Sequence, residues 1–245
     1  MSQSMRNTET YAIAHRGLSS RHRENTMAAF AAALDHAEVL ELDVRCTHDR
    51  VLVCAHDKTL LRSHGVDLSV GHLTFDELRR HAPDIARLDD VLDAFGARCG
   101  WFLDCKVLRP RAIDELVRVV ADTGLSWDSS DALRAGTPLE SGTACFEAPD
   151  PEVVQRFRAR TGAGCVELVR GETTAIELTL TAPFATAYAQ GVVIPHGLAG
   201  ARMVRLLRTL KLGVYAYTVN DQRRFDELSA VGVQGIFTDC CDEIC

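Results

Sequence analysis

Residues 39–45 read Val-Leu-Glu-Leu-Asp-Val-Arg, a strongly apolar stretch that carries two acidic side chains. Side chains two positions apart on a β-strand point to the same face, so Glu41 and Asp43 project together, about 7 Å apart at the backbone. Two like charges side by side on a buried face are unfavourable unless a cation lies between them. The stretch therefore predicts a buried strand with one charged face.

The same spacing recurs in residues 101–106, Trp-Phe-Leu-Asp-Cys-Lys, where Asp104 and Lys106 share a face. Two strands that each aim a charged pair at one face indicate a divalent-metal site with a basic residue beside it. The alternative is a structural network in which Glu41 and Asp43 only form salt bridges with Arg16 or Lys106.

The bulk composition is that of an ordinary globular protein. The chain has 245 residues, of which 47% are apolar and 25% charged, and an α/β barrel typically needs about 250. The net charge of −7 argues against nucleic acid or an anionic membrane as a general partner, although it does not exclude a local basic pocket. No apolar run is long enough to span a bilayer. Residues 1–10 are polar and are expected to form a flexible tail without a signal core, so we expect a cytoplasmic location.

Nine cysteines occur in the chain, but they do not form a disulfide framework. Their odd number and the absence of a secretion signal argue against disulfides, and most lie singly in or near apolar strands, where a thiol acts as a small hydrophobe. The tail 239–245 contains the adjacent Cys240 and Cys241 without a matching second cluster. It is therefore expected to be a reactive, oxidisable tail rather than a zinc site.

Short apolar runs alternate with helical patterns along the whole chain. Strands are predicted at 11–16, 39–44, 100–105, 142–147, 165–169, 191–195, 213–218 and 235–238. Helices are predicted at 25–36, 110–122, 151–160, 199–210 and 221–230. Eight βα units without a linker between them predict a single α/β domain over residues 11–245, folded as a closed (β/α)8 TIM barrel.

One additional run interrupts this order. Residues 51–56 lie too close to the second strand for a helical crossover, so they are predicted to form a hairpin-like excursion. Residues 57–94 are then a small insertion with helices near 74–81 and 88–94. Insertions on this side of a barrel commonly shape the substrate pocket.

Function in such a barrel is located at the carboxyl ends of the strands. The polar residues predicted there are His15, Arg16, Glu41, Asp43, His56, Asp57, Asp104, Lys106, Glu147, His196, Tyr217, Asn220 and Asp239. Individually, His15 could be an ordinary core or surface histidine and His56 could cap a turn. Their convergence on one barrel mouth favours a catalytic role.

These residues stand in motifs that follow one another over nearly the whole chain. The motifs are His15-Arg16-Gly17, Glu24-Asn25-Thr26, Glu41-Leu42-Asp43-Val44, His56-Asp57, Leu88-Asp89-Asp90-Val91-Leu92, Asp104-Cys105-Lys106, Tyr217-Thr218-Val219-Asn220 and residues 232–239. In this order they resemble the glycerophosphodiester phosphodiesterase family of the phospholipase-C-like barrel superfamily. The resemblance covers the chain from its first strand to its last.

The resemblance implies one divalent cation, Mg²⁺ or Ca²⁺, held by Glu41, Asp43 and Asp104, since both ions prefer hard oxygen ligands. It also implies that Arg16 and Lys106 bind the phosphoryl oxygens. His15 and His56 would form the acid–base pair, with the assignment of acid and base left open. In the family the attacking group is often the substrate's own adjacent hydroxyl, which yields a cyclic phosphate that water can open.

Several positions depart from the family pattern. Asp104 stands where the family usually has glutamate, Tyr217 replaces a tryptophan, Arg23 replaces a proline, and Cys145-Phe146 replaces Ser-Phe. Related sphingomyelinase-D-type barrels favour aspartate at the first of these positions. The substrate wall is therefore expected to differ from that of the family, with Tyr217, Glu147 and His196 as candidate pocket residues.

The sequence thus predicts a metal-dependent phosphodiesterase that converts a glycerophosphodiester, or a related small phosphodiester, to an alcohol and glycerol 3-phosphate. This reaction would belong to lipid metabolism. The alternatives are a lysophospholipase-D or sphingomyelinase-D-like phosphotransferase that forms a cyclic phosphate, a specialised biosynthetic phosphodiesterase, and a non-catalytic barrel that binds phosphorylated ligands. The oligomeric state is not determined by the sequence.

Overall fold

Ten strands are present in the structure, a computed structural model that describes residues 10–106, 110–128 and 131–244. They are β1 (Tyr11–Ala14), β2 (Val39–Cys46), β3 (Leu52–Cys54), β4 (Gly100–Cys105), β5 (Ser126–Trp127), β6 (Thr143–Ala148), β7 (Cys165–Leu168), β8 (Gly191–Pro195), β9 (Gly213–Tyr217) and β10 (Gly235–Thr238). Eight of them, all except β3 and β5, are parallel neighbours, and β1 pairs with both β10 and β2. The sheet is therefore closed, and the predicted (β/α)8 barrel is confirmed.

The helices lie between these strands. They are α1 (Met27–Ala33), α2 (Leu61–His64), α3 (Phe75–His81), α4 (Leu88–Phe95), α5 (Pro110–Asp122), α6 (Ala132–Ala135), α7 (Pro151–Thr161), α8 (Ala175–Ala185), α9 (Ala201–Thr209) and α10 (Gln222–Ala230), with 3-10 turns at Val70–His72 and Gly96–Arg98. Side-chain caps begin several of them, as at Thr26 before α1 and Asp150 before α7. No helix among the described residues is long and apolar enough to cross a membrane.

The excursion predicted at residues 51–56 forms β3, which runs antiparallel to the end of β2 with Val44 opposite Cys54. After it, α3 begins with a reciprocal capping box between Thr74 and Glu77. The next helix, α4, packs against α1 and α5. Helix α4 is therefore the barrel helix that connects β2 to β4. It lies at the end of the segment 57–94 that was predicted as an insertion.

Four of the strands and helices were not delimited by the sequence analysis: the strand β5 and the helices α2, α6 and α8. The short strand β5, which pairs with β6, has only two residues and was not predicted. Helix α8 was not delimited, because its sequence Ala-Ile-Glu-Leu-Thr-Leu-Thr-Ala-Pro-Phe-Ala is apolar around most of its circumference and contains Pro183. Residues 1–9 of the predicted tail lie outside the described residues.

The interior of the barrel is filled by an aromatic layer. Phe102 packs edge-to-face against Tyr215 and Phe237, with ring centroids 5.4 and 5.3 Å apart. Phe102 and Asp104 lie two apart on β4 and so face the same side of the strand. The apolar layer therefore closes the barrel from within and leaves the carboxylates at its mouth.

The expectation of a reactive cysteine tail is wrong for Cys240 and Cys241. Both side chains are buried in the layer between the sheet and the helices. Burial raises the pKa of Cys241 to about 11, which disfavours the reactive thiolate at neutral pH. Cys245 lies outside the described residues.

Candidate active site

Three buried carboxylates meet at the barrel mouth. Strands β2 and β4 pair so that Asp43 lies opposite Asp104, with Glu41 one pleat below Asp43. Each of the three offers an oxygen within 4.8 Å of the others. Asp104 Oδ1 is buried and has no hydrogen-bond partner among the described residues. A cluster of hard, desolvated oxygens with an unused ligand atom fits Mg²⁺ or Ca²⁺.

Burial and two neighbouring cations together determine the pKa values of the three carboxyl groups. Burial raises the pKa of Glu41 well above its usual range and that of Asp104 to about 6. For Asp43, burial is outweighed by Lys106 and Arg16, which hold the pKa of that carboxyl well below its usual range. Lys106 Nζ lies 2.8 Å from Asp43 Oδ1 and also pairs with Asp104, while Arg16 Nε lies 3.1 Å from Asp43 Oδ2. Asp43 is thus the permanently ionised member.

Asn25 fixes the position of Asp43 from the loop before α1. Its amide Nδ2 donates to Asp43 Oδ2 at 2.7 Å, and its Oδ1 accepts from the Asp43 backbone N–H at 3.1 Å. Arg16 and Asn25 both have positive φ, 60° and 59°. The turn brings the Arg16 backbone N–H to 2.9 Å from Glu41 Oε2. Backbone and side chain of one loop therefore hold two members of the cluster.

His15 is oriented by the end of the last strand. Its Nδ1 lies 2.7 Å from Asp239 Oδ1, and the carboxylate also accepts from Ser19 Oγ at 3.0 Å and from Asn220 Nδ2 at 2.7 Å. Burial opposes ionisation of Asp239, but these hydrogen bonds lower its pKa to about 2. Burial lowers the pKa of His15 while Asp239 opposes that shift. With Nδ1 facing the carboxylate, Nε2 is the nitrogen available for proton transfer.

His56, which follows β3, has the same arrangement as His15. Its Nδ1 lies 2.7 Å from Asp57 Oδ1. Arg45 donates to the His56 carbonyl from Nε at 2.8 Å and from Nη2 at 2.6 Å. Burial lowers the pKa of His56, and Asp43 opposes the shift. The site therefore contains two imidazoles, each with a carboxylate at Nδ1.

The sequence as a whole identifies the family to which the chain belongs. The glycerophosphoryl diester phosphodiesterase family matches residues 15–243. The chain belongs to this family. It is accordingly a phosphoric diester hydrolase of the glycerophosphodiester phosphodiesterase type.

Individual relatives resemble the chain to different extents. "Putative glycerophosphodiester phosphodiesterase YhdW" of Bacillus subtilis (strain 168) is 28% identical over 96% of both chains. Human lysophospholipase D GDPD3 is 44% identical over 61% of this chain, a match that spans about half (51%) of the human protein. Among solved structures, a phosphodiesterase of Oleispira antarctica in complex with the product sn-glycerol-3-phosphate superposes with a TM-score of 0.78 at 20% identity, covering 99% of this chain and 98% of the other. The glycerophosphodiester phosphodiesterase of Thermotoga maritima gives 0.76 at 19% identity over 96% of each chain.

Arg62 connects Asp57, the carboxylate beside His56, with Glu24, the carboxylate beside Arg16. Its Nε donates to Asp57 Oδ2 at 2.6 Å, and its two terminal nitrogens donate to Glu24 at 2.8 and 2.6 Å. Glu24 Oε2 also accepts from Arg16 Nη1 at 3.2 Å. Sequence reasoning missed Arg62, as well as the role of Arg45, because neither stands in a motif. Asp57 and Glu24 do stand in motifs, but the sequence does not indicate that both bind Arg62.

The three candidate pocket residues lie in different surroundings. Glu147 pairs in register with Asp104; it is buried, its Oε2 has no partner among the described residues, and burial raises its pKa well above the usual range. Tyr217 is half-buried, and its hydroxyl donates to the Val169 carbonyl at 2.6 Å. His196 is exposed after β8, with Arg224 of α10 donating to its carbonyl at 2.6 Å. Glu147 is thus placed beside the carboxylate cluster.

Proposed function

We propose that the chain hydrolyses a small glycerophosphodiester to an alcohol and glycerol 3-phosphate at one divalent cation. Glu41, Asp43 and Asp104 would hold this cation. The observation that carries the proposal is that this buried cluster shares the barrel mouth with two histidines, each held through Nδ1 by a carboxylate 2.7 Å away. When bound, the cation supplies a positive charge that neutralises the phosphoryl oxygens as the transition state forms.

The residues around the cluster take the remaining roles. Arg16 and Lys106 bind the non-bridging phosphoryl oxygens, since both are cationic and lie against Asp43. One histidine accepts through Nε2 the proton of the attacking group, which is water or the substrate's own adjacent hydroxyl, and the other donates a proton to the leaving alkoxide. Where the hydroxyl attacks, water then opens the cyclic phosphate to glycerol 3-phosphate. Asp239 and Asp57 orient the two rings for these transfers.

The cation is proposed to be Mg²⁺ or Ca²⁺, because all three ligands are carboxylates whereas zinc prefers nitrogen and sulfur. A cytoplasmic location is proposed as well, since buried thiols such as Cys54, Cys105 and Cys165 form no disulfides. Glycerophosphodiesters are deacylated lipid head groups, so the reaction would belong to lipid metabolism. Tyr217, Glu147 and His196 are proposed as walls of the substrate pocket.

The test is hydrolysis of glycerophosphoinositol and glycerophosphocholine by metal-free protein, with magnesium or calcium added back and the products followed by phosphorus NMR. We expect no turnover in chelator, restoration by either cation, and loss of turnover in Asp43→Asn. Undiminished hydrolysis in chelator would contradict the metal-dependent reaction. Turnover by His15→Ala equal to that of the unaltered protein would favour a barrel that only binds phosphorylated ligands.

A second candidate is transfer to the substrate's own hydroxyl, which ends at a cyclic phosphate. Two observations favour it: the carboxylate at Asp104 is one methylene shorter than the usual glutamate, and human lysophospholipase D GDPD3 is 44% identical over part of the chain. A cyclic phosphodiester that persists in the NMR spectrum would identify this reaction. Exclusive formation of glycerol 3-phosphate would identify hydrolysis.

A further inference from the structure

A basic groove borders the proposed active site on the side of β2. This groove is a cavity of about 640 Å³ whose lining includes Arg45, Arg50, Lys58, Arg111, His48 and His72. None of the described residues that line it carries a carboxylate. The protein as a whole has a net charge of −7, so this concentration of positive charge is a local feature.

The cationic side chains reach the groove from separate segments. Arg45 lies on β2, Arg50 in the turn before β3, Lys58 after β3, and Arg111 in the first turn of α5. Among the described residues, Arg50, Lys58 and Arg111 form no ion pair within 4.0 Å. A cation in the first turn of a helix also opposes the helix dipole. Arg50, Lys58 and Arg111 are solvent-exposed, so their charges are accessible to an anion that enters the groove.

Arg45 joins the groove to the proposed catalytic residues. Arg45, which lines it, donates two hydrogen bonds to the carbonyl of His56. Lys58 follows His56 by two residues, and its own carbonyl accepts from Val70 N–H at 3.0 Å, which fixes this wall. A cavity of this volume lies within the range of small-molecule sites. It has room for a whole alcohol moiety next to the phosphate that is cleaved.

We propose that this groove is the subsite for the alcohol half of the substrate and that it selects alcohols bearing an anionic group, such as a second phosphate. The proposal rests on the phosphodiesterase function proposed above. Arg50, Lys58 and Arg111 supply the charge, and Arg45 couples the occupied groove to His56. Substrates with a cationic alcohol such as choline are disfavoured by the same charges.

The experiment compares two substrates that differ by one phosphate, glycerophosphoinositol and glycerophosphoinositol 4-phosphate. We expect a KM about tenfold lower for the phosphorylated substrate, as charge-assisted contacts to a phosphate would give. In the double variant Arg50→Gln/Arg111→Gln the two KM values should converge, because the charges that distinguish the second phosphate are gone. The control Arg202→Gln/Arg205→Gln removes the same charge from the exposed side of α9 and should keep the tenfold preference.

Binding of inositol 1-phosphate and inositol 1,4-bisphosphate, measured by calorimetry, separates this proposal from the proposed reaction. Preferential binding of the bisphosphate that is lost in Arg50→Gln/Arg111→Gln supports the groove as a binding site for the second phosphate. If neither diester is hydrolysed at the same time, only the proposed reaction is refuted. Turnover of both diesters with equal KM overturns the groove. A third outcome is inhibition by inorganic phosphate that disappears in the double variant, with no preference between the two substrates. This outcome also overturns the proposed alcohol subsite and identifies a site for free anions.

Discussion

Arg62 and Glu24 form a bidentate ion pair, with nitrogen–oxygen distances of 2.8 and 2.6 Å. The pair joins the segment after β3 to the loop before α1. Because Arg62 also holds Asp57, and Glu24 also holds Arg16, one exposed arginine links the carboxylate beside His56, a proposed catalytic residue, to Arg16, a proposed phosphate ligand. Planar guanidinium groups suit this double role because they bind carboxylates with fixed geometry.

Replacement of Arg62 by glutamine should therefore lower activity more than stability. We expect kcat/KM to fall about tenfold as His56 and Arg16 lose their alignment, because misplaced catalytic groups are inefficient. The free energy of unfolding should change by less than about 1 kcal/mol, since the pair is partly solvent-exposed. Arg23→Gln is the matched control: Arg23 is similarly exposed and pairs with Asp84. Equal losses of activity in both variants would contradict a positioning role for Arg62.

Asp239→Asn should remove the charge that orients and polarises His15. We expect kcat to fall by at least about 100-fold, since loss of the carboxylate beside a catalytic histidine can cost about 10⁴-fold. Asp239 raises the pKa of His15 against the larger lowering by burial, so the pKa of His15 falls further in the variant. If His15 is the base, the acid limb of the pH profile of kcat/KM moves to lower pH.

The control for Asp239 is Ser19→Ala, which deletes one hydrogen bond to the carboxylate and keeps its charge. This variant should retain the acid limb at its original pH. An acid limb that stays in place in Asp239→Asn would assign the titrating base to His56 instead.

Cation affinity should depend on pH through the carboxylate cluster. Burial raises the pKa of Asp104 to about 6 and also raises that of Glu41, and a cation binds only their ionised forms. Binding near pH 6 should thus release protons, and affinity should decrease as the pH falls through about 6. Calorimetry in two buffers with different ionisation enthalpies measures the proton release. A constant affinity between about pH 5 and pH 8 would contradict this ligand assignment.

The same shift predicts how the cation affects stability. A carboxyl whose folded pKa lies above its unfolded value destabilises the fold once it ionises, so Asp104 penalises the metal-free protein above about pH 6 and not at low pH. Magnesium should therefore raise Tm more at pH 8 than at pH 5. In Asp104→Asn the metal-free protein should lose this penalty and the magnesium effect should become small. The exposed variant Asp122→Asn should behave like the unaltered protein.

Gly17 should be required for the fold of the loop that carries His15 and Arg16. Its φ is +79°, and a Cβ there would lie 2.5 Å from the Ala29 carbonyl carbon of α1. Gly17→Ala should therefore destabilise the protein by roughly 3 kcal/mol, through strain and the clash together. Gly124 has a similar φ of +77° but no neighbour within 4 Å, so Gly124→Ala should cost only about 1 kcal/mol. Equal changes in urea denaturation would refute the close approach of α1.

The strands and most helices could be predicted because their signals are local. Apolar and charged side chains alternate along residues 39–46. Strand β2 and the shared face of Glu41 and Asp43 therefore follow from the two-residue period of a strand. The same reasoning failed for α8, whose apolar residues do not select one face, and for Cys240 and Cys241, whose burial depends on what covers the chain end.

By itself, the sequence determined eight strands in a closed barrel and the chemistry of the residues at their ends. Only the tertiary structure decided which of those residues act together. His15 lies against Asp239 across 224 positions, Arg62 against Glu24 across 38, and Asp43 opposite Asp104 by strand register. Such contacts depend on barrel closure and on the path of the segment after β3, which no local periodicity encodes. For the same reason, the paired carboxylates of residues 39–45 indicate a cation site, whereas the groove beside it is a product of the fold.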